Sequence, residues 1–191
     1  MAIGNPDAGA GLELRWAERE ARYIGERYPS ATVLVRSEAT KARVVQAGAR
    51  AGILHFATHG ELNEKSPLDS ALLLAPADGN DGHLAVRDLF GLELHARLVV
   101  LSACETGLGT LSRGDELVGL QRAFLYAGTP AVVTTLWKVD DRASYELVRV
   151  FYERLGSAPA VEALRQAQLA ALPTFPHPFQ WAAFTLTGVS P

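Results

Sequence analysis

Cysteine is nearly missing from this chain. Cys104 is the only one in 191 residues, so no internal disulfide can form, and a reducing, cytoplasmic setting is expected. No run of about 18 apolar residues occurs, which leaves no candidate membrane span. Residues 1–6 lack the basic end and apolar stretch of a signal peptide. They read instead as the tail of a strand in a domain that adjoins a longer chain. A basic stripe is missing too. Lys and Arg number 18 against 21 Asp and Glu, for a net charge of −3 with both signs scattered, so no nucleic-acid contact is expected. No internal repeat or low-complexity linker breaks the chain, and one domain over residues 1–191 is expected. What is present suits a folded core: 48% of residues are apolar and 20% charged, too apolar for a disordered chain.

Apolar periodicity predicts helices over residues 14–28, 38–49 (capped by Ser37), 114–127, 141–155 and 159–172. Strands are predicted over 31–35, 53–58, 98–101, 131–136 and 180–187. Residues 71–75 and 83–86 flank Asp78-Gly79-Asn80-Asp81-Gly82, a hairpin with a flexible tip, and a short helical turn follows. The central strands are apolar without a period of two. Strands buried on both faces have this pattern, so the fold class is α/β, with a mostly parallel sheet between helices.

Two strand ends carry chemistry. Leu98–Leu101 leads into Ser102-Ala103-Cys104-Glu105-Thr106-Gly107, and residues 53–58 lead into His59-Gly60. Loops at the carboxyl ends of strands in such sheets collect ligands and reactive groups. A thiolate is a strong nucleophile, and an imidazole can take the thiol proton and later return it to a leaving amine. The backbone N–H groups of Gly60 and Cys104 are candidates to hold a developing oxyanion. Against this stand two ordinary roles: a lone cysteine is most often a small buried hydrophobe, and a lone histidine a satisfied polar residue. His55 shares a strand face with His59, which raises a zinc site of His55, His59 and Cys104. That spacing suits zinc on a helix rather than a strand, and no glutamate lies inside it, so no metal is expected. Glu105 beside the thiol would raise its pKa unless the histidine is charged. Residues 107–112 are glycine-rich but lack a following lysine; a mobile active-site loop is expected there, with Arg113, Asp115 and Glu116 beside it.

Several segments taken in order resemble the CHAT domain. They are Ala2-Ile3-Gly4-Asn5-Pro6, Leu54–Gly60, Val99–Gly107, Ala127-Gly128, Leu136-Trp137-Lys138-Val139-Asp140-Asp141, His177-Pro178 and Trp181-Ala182-Ala183-Phe184. CHAT domains are caspase-like cysteine peptidases found in bacteria, often attached to tetratricopeptide repeats. The resemblance implies a caspase-like three-layer fold, a protein or peptide substrate, no cofactor, and gating by a repeat or sensor domain. It assigns His59 as general acid/base and Cys104 as nucleophile. Separase, similar to CHAT domains, places an aspartate after a Leu-Trp-x-Val element to receive a basic P1 side chain. Asp141 matches that position, Asp140 reads as the cap of the next helix, and Trp137 as a wall of the same S1 pocket. Two other readings remain: a catalytically silent interaction module on the same fold, and a thiol hydrolase of small amides or esters.

Overall fold

The computed structural model describes residues 1–63, 65–102, 104–105 and 117–189, with the backbone alone at 104, 105, 117 and 118. In chain order the elements are β1 (Ala2–Pro6), α1 (Arg15–Arg27), β2 (Val33–Arg36), α2 (Lys41–Gly48), β3 (Ile53–Ala57) and β4 (His59–Glu61). Then follow β5 (Ala71–Leu73), β6 (His83–Ala85), α3 (Val86–Leu89), β7 (Leu98–Leu101) and β8 (Cys104–Glu105). The chain ends with α4 (Leu117–Tyr126), β9 (Ala131–Thr135), α5 (Asp141–Leu155), α6 (Ala160–Ala171) and β10 (Phe184–Gly188). The predicted loop of 107–112, with Arg113, Asp115 and Glu116, lies outside the described residues.

Six strands form the main sheet in the order β10-β9-β7-β3-β1-β2, and all pair in parallel except β10. Alternate residues of the central strands face opposite ways. Leu54, Phe56, Val99, Leu101 and Val132 pack with Val44 of α2, Leu89 of α3 and Phe124 of α4. Leu98, Val100 and Val133 pack with Ile24 of α1, Phe151 of α5 and Leu164 of α6. Both faces are therefore buried, which is why these strands are apolar throughout.

Three of the boundaries that differ from expectation have a local cause. Helix α2 starts at Lys41 because Thr40, not Ser37, accepts the first-turn N–H of Arg43. Residues 178–180 form a 3₁₀ turn, so β10 begins at Phe184 rather than near 180. The strand expected to end at Thr58 continues after a bend as β4, in a second sheet of order β6-β5-β4-β8. The Thr58 hydroxyl fixes that bend by donating to the Leu73 carbonyl at 2.5 Å.

Helix α1 lies unusually close to β1. A Cβ on Gly4 would come within 2.6 Å of the Ala21 Cβ and collide with the Ala17 carbonyl oxygen. The latter is helix backbone and cannot swing aside. Gly4→Ala is therefore expected to push α1 off the sheet and to cost about 1–3 kcal/mol, the usual range for overpacking, read as a lower denaturation midpoint at unchanged slope.

Candidate active site

Parallel strands β3 and β7 are neighbours, and their continuations β4 and β8 stay neighbours in the second sheet. The register pairs His59 with Cys104 and Gly60 with Glu105. Among the described residues, a Cβ built on Gly60 would meet nothing within 4 Å, so the strand is open on that side.

His59 is only 8% exposed. Its Nε2 lies 2.9 Å from the Leu12 carbonyl oxygen. A carbonyl can only accept, so Nε2 carries the proton and a neutral imidazole must leave Nδ1 as its lone-pair nitrogen. Nδ1 is buried and has no hydrogen-bond partner among the described residues. Burial pushes the His59 pKa below its ordinary value; the Leu12 carbonyl opposes this, and the positive charge of Lys138 adds to it. The ring is thus set as a neutral base whose free nitrogen faces away from Leu12.

Leu12 belongs to the loop between β1 and α1, and Asn5 organises that loop. Its backbone takes a left-handed φ of 49°, which asparagine tolerates better than most residues. Its Oδ1 accepts the Leu14 N–H at 2.8 Å, and its amide donates to Glu18 at 3.3 Å. Glu18 in turn receives Arg36 Nε at 2.6 Å. The Gly4-Asn5-Pro6 segment thus supplies a close-packing glycine and a loop anchor. Neither role is marked in the sequence of that segment, and a backbone carbonyl such as that of Leu12 has no residue signature at all.

Strand β9 delivers the remaining candidates to the same edge of the sheet. Trp137 stacks on Phe179 with ring centroids 5.6 Å apart and an interplanar angle of 20°, and its indole N–H donates to the Phe179 carbonyl at 2.8 Å. Leu136 and Phe179 are 50% and 52% exposed, which makes an apolar shelf beside the strand ends. Asp140 caps α5, its Oδ1 accepting the Ala143 N–H at 2.9 Å. Asp141 is half-buried, and its Oδ2 accepts the Trp16 N–H of α1 at 2.9 Å. Burial pushes the Asp141 pKa up, while the N–H groups of Trp16 and Ala17 draw it down.

His55 belongs to a separate cluster under α1 and α5. It is fully buried; Nε2 lies 2.6 Å from Glu20 Oε1 and Nδ1 lies 3.1 Å from the Tyr152 hydroxyl. Both ring nitrogens are thereby engaged. Among the described residues, no group of three or more His, Cys, Asp and Glu side chains is arranged to hold a metal ion, and no helix is long and apolar enough to cross a membrane.

Residues 1–189 match the family model for the CHAT domain, and the chain belongs to that family. It is 34% identical to Tetratricopeptide repeat protein 28 of Mus musculus and 32% identical to that of Homo sapiens, over 97% of this chain in both cases. The chain spans 9% of the length of these relatives. Both are mammalian, so bacterial origin does not follow from family membership. Among solved structures it is similar to the Arg-specific cysteine proteinase gingipain R, with a TM-score of 0.55 and 14% identity over 98% of this chain and 45% of that one. It is also similar to protein GSU0716 from Geobacter sulfurreducens, with a TM-score of 0.53 and 17% identity over 99% of this chain and 91% of that one. The fold is thus a caspase-like α/β arrangement, as in gingipain R.

Proposed function

We propose that this domain is a cysteine endopeptidase that works through His59 and Cys104. The observation that carries the reading is the register of β4 and β8, which pairs these two residues, beside a His59 whose lone-pair nitrogen has no partner among the described residues. In the first step His59 Nδ1 takes the Cys104 thiol proton and the sulfur bonds to the scissile carbonyl carbon. The carbonyl oxygen becomes an oxyanion, held by the N–H groups of Gly60 and Cys104. The intermediate collapses as the C–N bond breaks, and the leaving amine takes the proton from His59. Water, deprotonated by the same nitrogen, then attacks the thioester. The acid product leaves, and the proton returns to the thiolate. The substrate is a protein segment that lies extended along the strand ends. Trp137, with its shelf of Leu136 and Phe179, forms one wall of the S1 pocket. The domain adjoins a longer chain whose repeats gate it, in a reducing cytoplasmic compartment.

The test is exposure of a diverse peptide library to the chain, read by mass spectrometry, beside labelling with an acyloxymethyl ketone peptide. Cleavage together with labelling at Cys104 supports the reading. If the chain does neither, alone and with its repeat domain restored, it is an interaction module instead. A buried neutral His59 also sets the acid limb of kcat/KM. With its pKa depressed, the base form persists below the ordinary value of about 6.5, so the limb should fall below that pH; a limb above 7 would contradict the assignment. The sign carries to stability: the unfolded chain takes up the proton first, so stability is lost as pH falls through the folded pKa.

A further inference from the structure

Helix α1 begins without a cap of its own. Leu14 stands at the N-cap position and has no side-chain oxygen to offer the first turn. Unpaired first-turn N–H groups are costly and cause fraying. Here the acceptor comes from another element, 125 residues away: the Asp141 carboxylate, from the first turn of α5, takes the Trp16 N–H at 2.9 Å. The joint is reinforced by the rings of Trp16 and Tyr145, 5.4 Å apart, and by the Arg142 guanidinium of α5, 5.9 Å from the Trp16 ring centroid. Four residues before Trp16 is Leu12, whose carbonyl holds His59 Nε2. Between them, Leu14 is tied to Asn5. The loop that sets the imidazole is thus fixed at two points, by Asn5 from β1 and by Asp141 from α5.

We propose that Asp141 is a positioning residue, which holds the α1 entry so that the Leu12 carbonyl keeps His59 in its Nε2–H tautomer. The inference rests on His59 being the base of the proposed peptidase. It gives Asp141 a task other than receiving a basic P1 side chain, and the two tasks need different things of the carboxylate. A cap needs an acceptor oxygen, which asparagine also supplies. Recognition of lysine or arginine needs the charge, which asparagine lacks.

The experiment compares wild type, Asp141→Ala and Asp141→Asn by two readouts. The first is the ¹⁵N spectrum of the histidine imidazoles, with His59 assigned by its disappearance in His59→Gln. Wild type and Asp141→Asn should show one Nε2–H tautomer at His59, and Asp141→Ala a mixture. The second is peptide cleavage with basic and apolar P1 residues. Asp141→Ala should lower kcat roughly tenfold for both classes alike, with KM little changed, as expected of a misplaced base; Asp141→Asn should restore most of it. Should Asp141→Ala not fold, Trp16→Pro removes the donor, together with the ring that meets Tyr145, at a first-turn position where proline is tolerated, and it should give the same mixture. A His59 tautomer unchanged in Asp141→Ala or Trp16→Pro overturns the proposal. So does Asp141→Asn matching Asp141→Ala, with losses confined to basic P1. A wild type that cleaves nothing would defeat the peptidase reading alone, because the spectrum still decides whether Asp141 sets the imidazole.

Discussion

Cys104→Ala, His59→Ala and the double variant are expected to cleave peptide at one common background rate, at least about 10³-fold below wild type. The reason is that the two groups act as a unit. Without the imidazole, the thiol at neutral pH remains mostly protonated, and the leaving amine has no acid to take its proton from. Without the sulfur, the imidazole has no covalent intermediate to serve. Removing the second partner then costs nothing more. Two separate losses that multiplied in the double variant would mean that His59 and Cys104 contribute independently, and the pairing of β4 with β8 would have another purpose. Thermal unfolding of the same variants supplies the control: His59 hydrogen-bonds one backbone carbonyl, so its loss should move the midpoint only slightly.

The opposite profile is expected for His55, four residues earlier. His55→Leu should destabilise the fold by about 3–5 kcal/mol, because it leaves the Glu20 carboxylate buried with its partner gone. Glu20 and His55 are 1% and 0% exposed, so water cannot replace the lost bond. Tyr152, whose pKa is raised well above its ordinary value by burial and by the Glu20 charge, keeps its proton. It can donate to His55 Nδ1 but cannot neutralise Glu20. Domains of this kind have total stabilities of roughly 5–15 kcal/mol, so the single variant should stand near the limit of folding. The double variant Glu20→Leu/His55→Leu removes both polar partners and should recover much of the loss, since apolar replacements of buried pairs are often close to neutral. Denaturant titration of the three chains checks this. A double variant as unstable as His55→Leu would mean that the cluster contributes through shape rather than charge.

The contrast between these two histidines shows where sequence reading reaches and where it stops. Periodicity and apolar runs marked five of the six strands of the main sheet, most plainly the central ones, because burial on both faces leaves a mark in residue type; β1 showed only as the tail of a strand. The strand ends of His59 and Cys104 stood out by the same logic. Asp140 was legible as a helix cap, since the short side chain and the following helix are adjacent in sequence. Asp141 was not, because its partner is the N–H of Trp16, 125 residues away, and backbone donors are alike in every residue. The Leu12 carbonyl was hidden for the same reason. His55 appeared as a rival ligand because alternation puts it on the face of His59. Its two buried partners on α1 and α5 decide what it does, and they come from distant parts of the chain.

The edge strand β10 runs against its neighbours, with Gly188 opposite Ala131 at the start of β9. Ala2, at the start of β1, lies at that same end of the sheet, since β1 parallels β3. Chain continuing from either end would therefore leave from the pole away from His59, a strand length of roughly 16 Å distant. Tension applied through both ends would act on them unequally. Strand β1 is bonded on two sides, to β2 and β3, so each residue freed from it breaks bonds to both neighbours. Strand β10 is bonded to β9 alone among the described strands and can peel bond by bond from Gly188. A pull would strip β10 first and leave the strands that carry His59 and Cys104 in register.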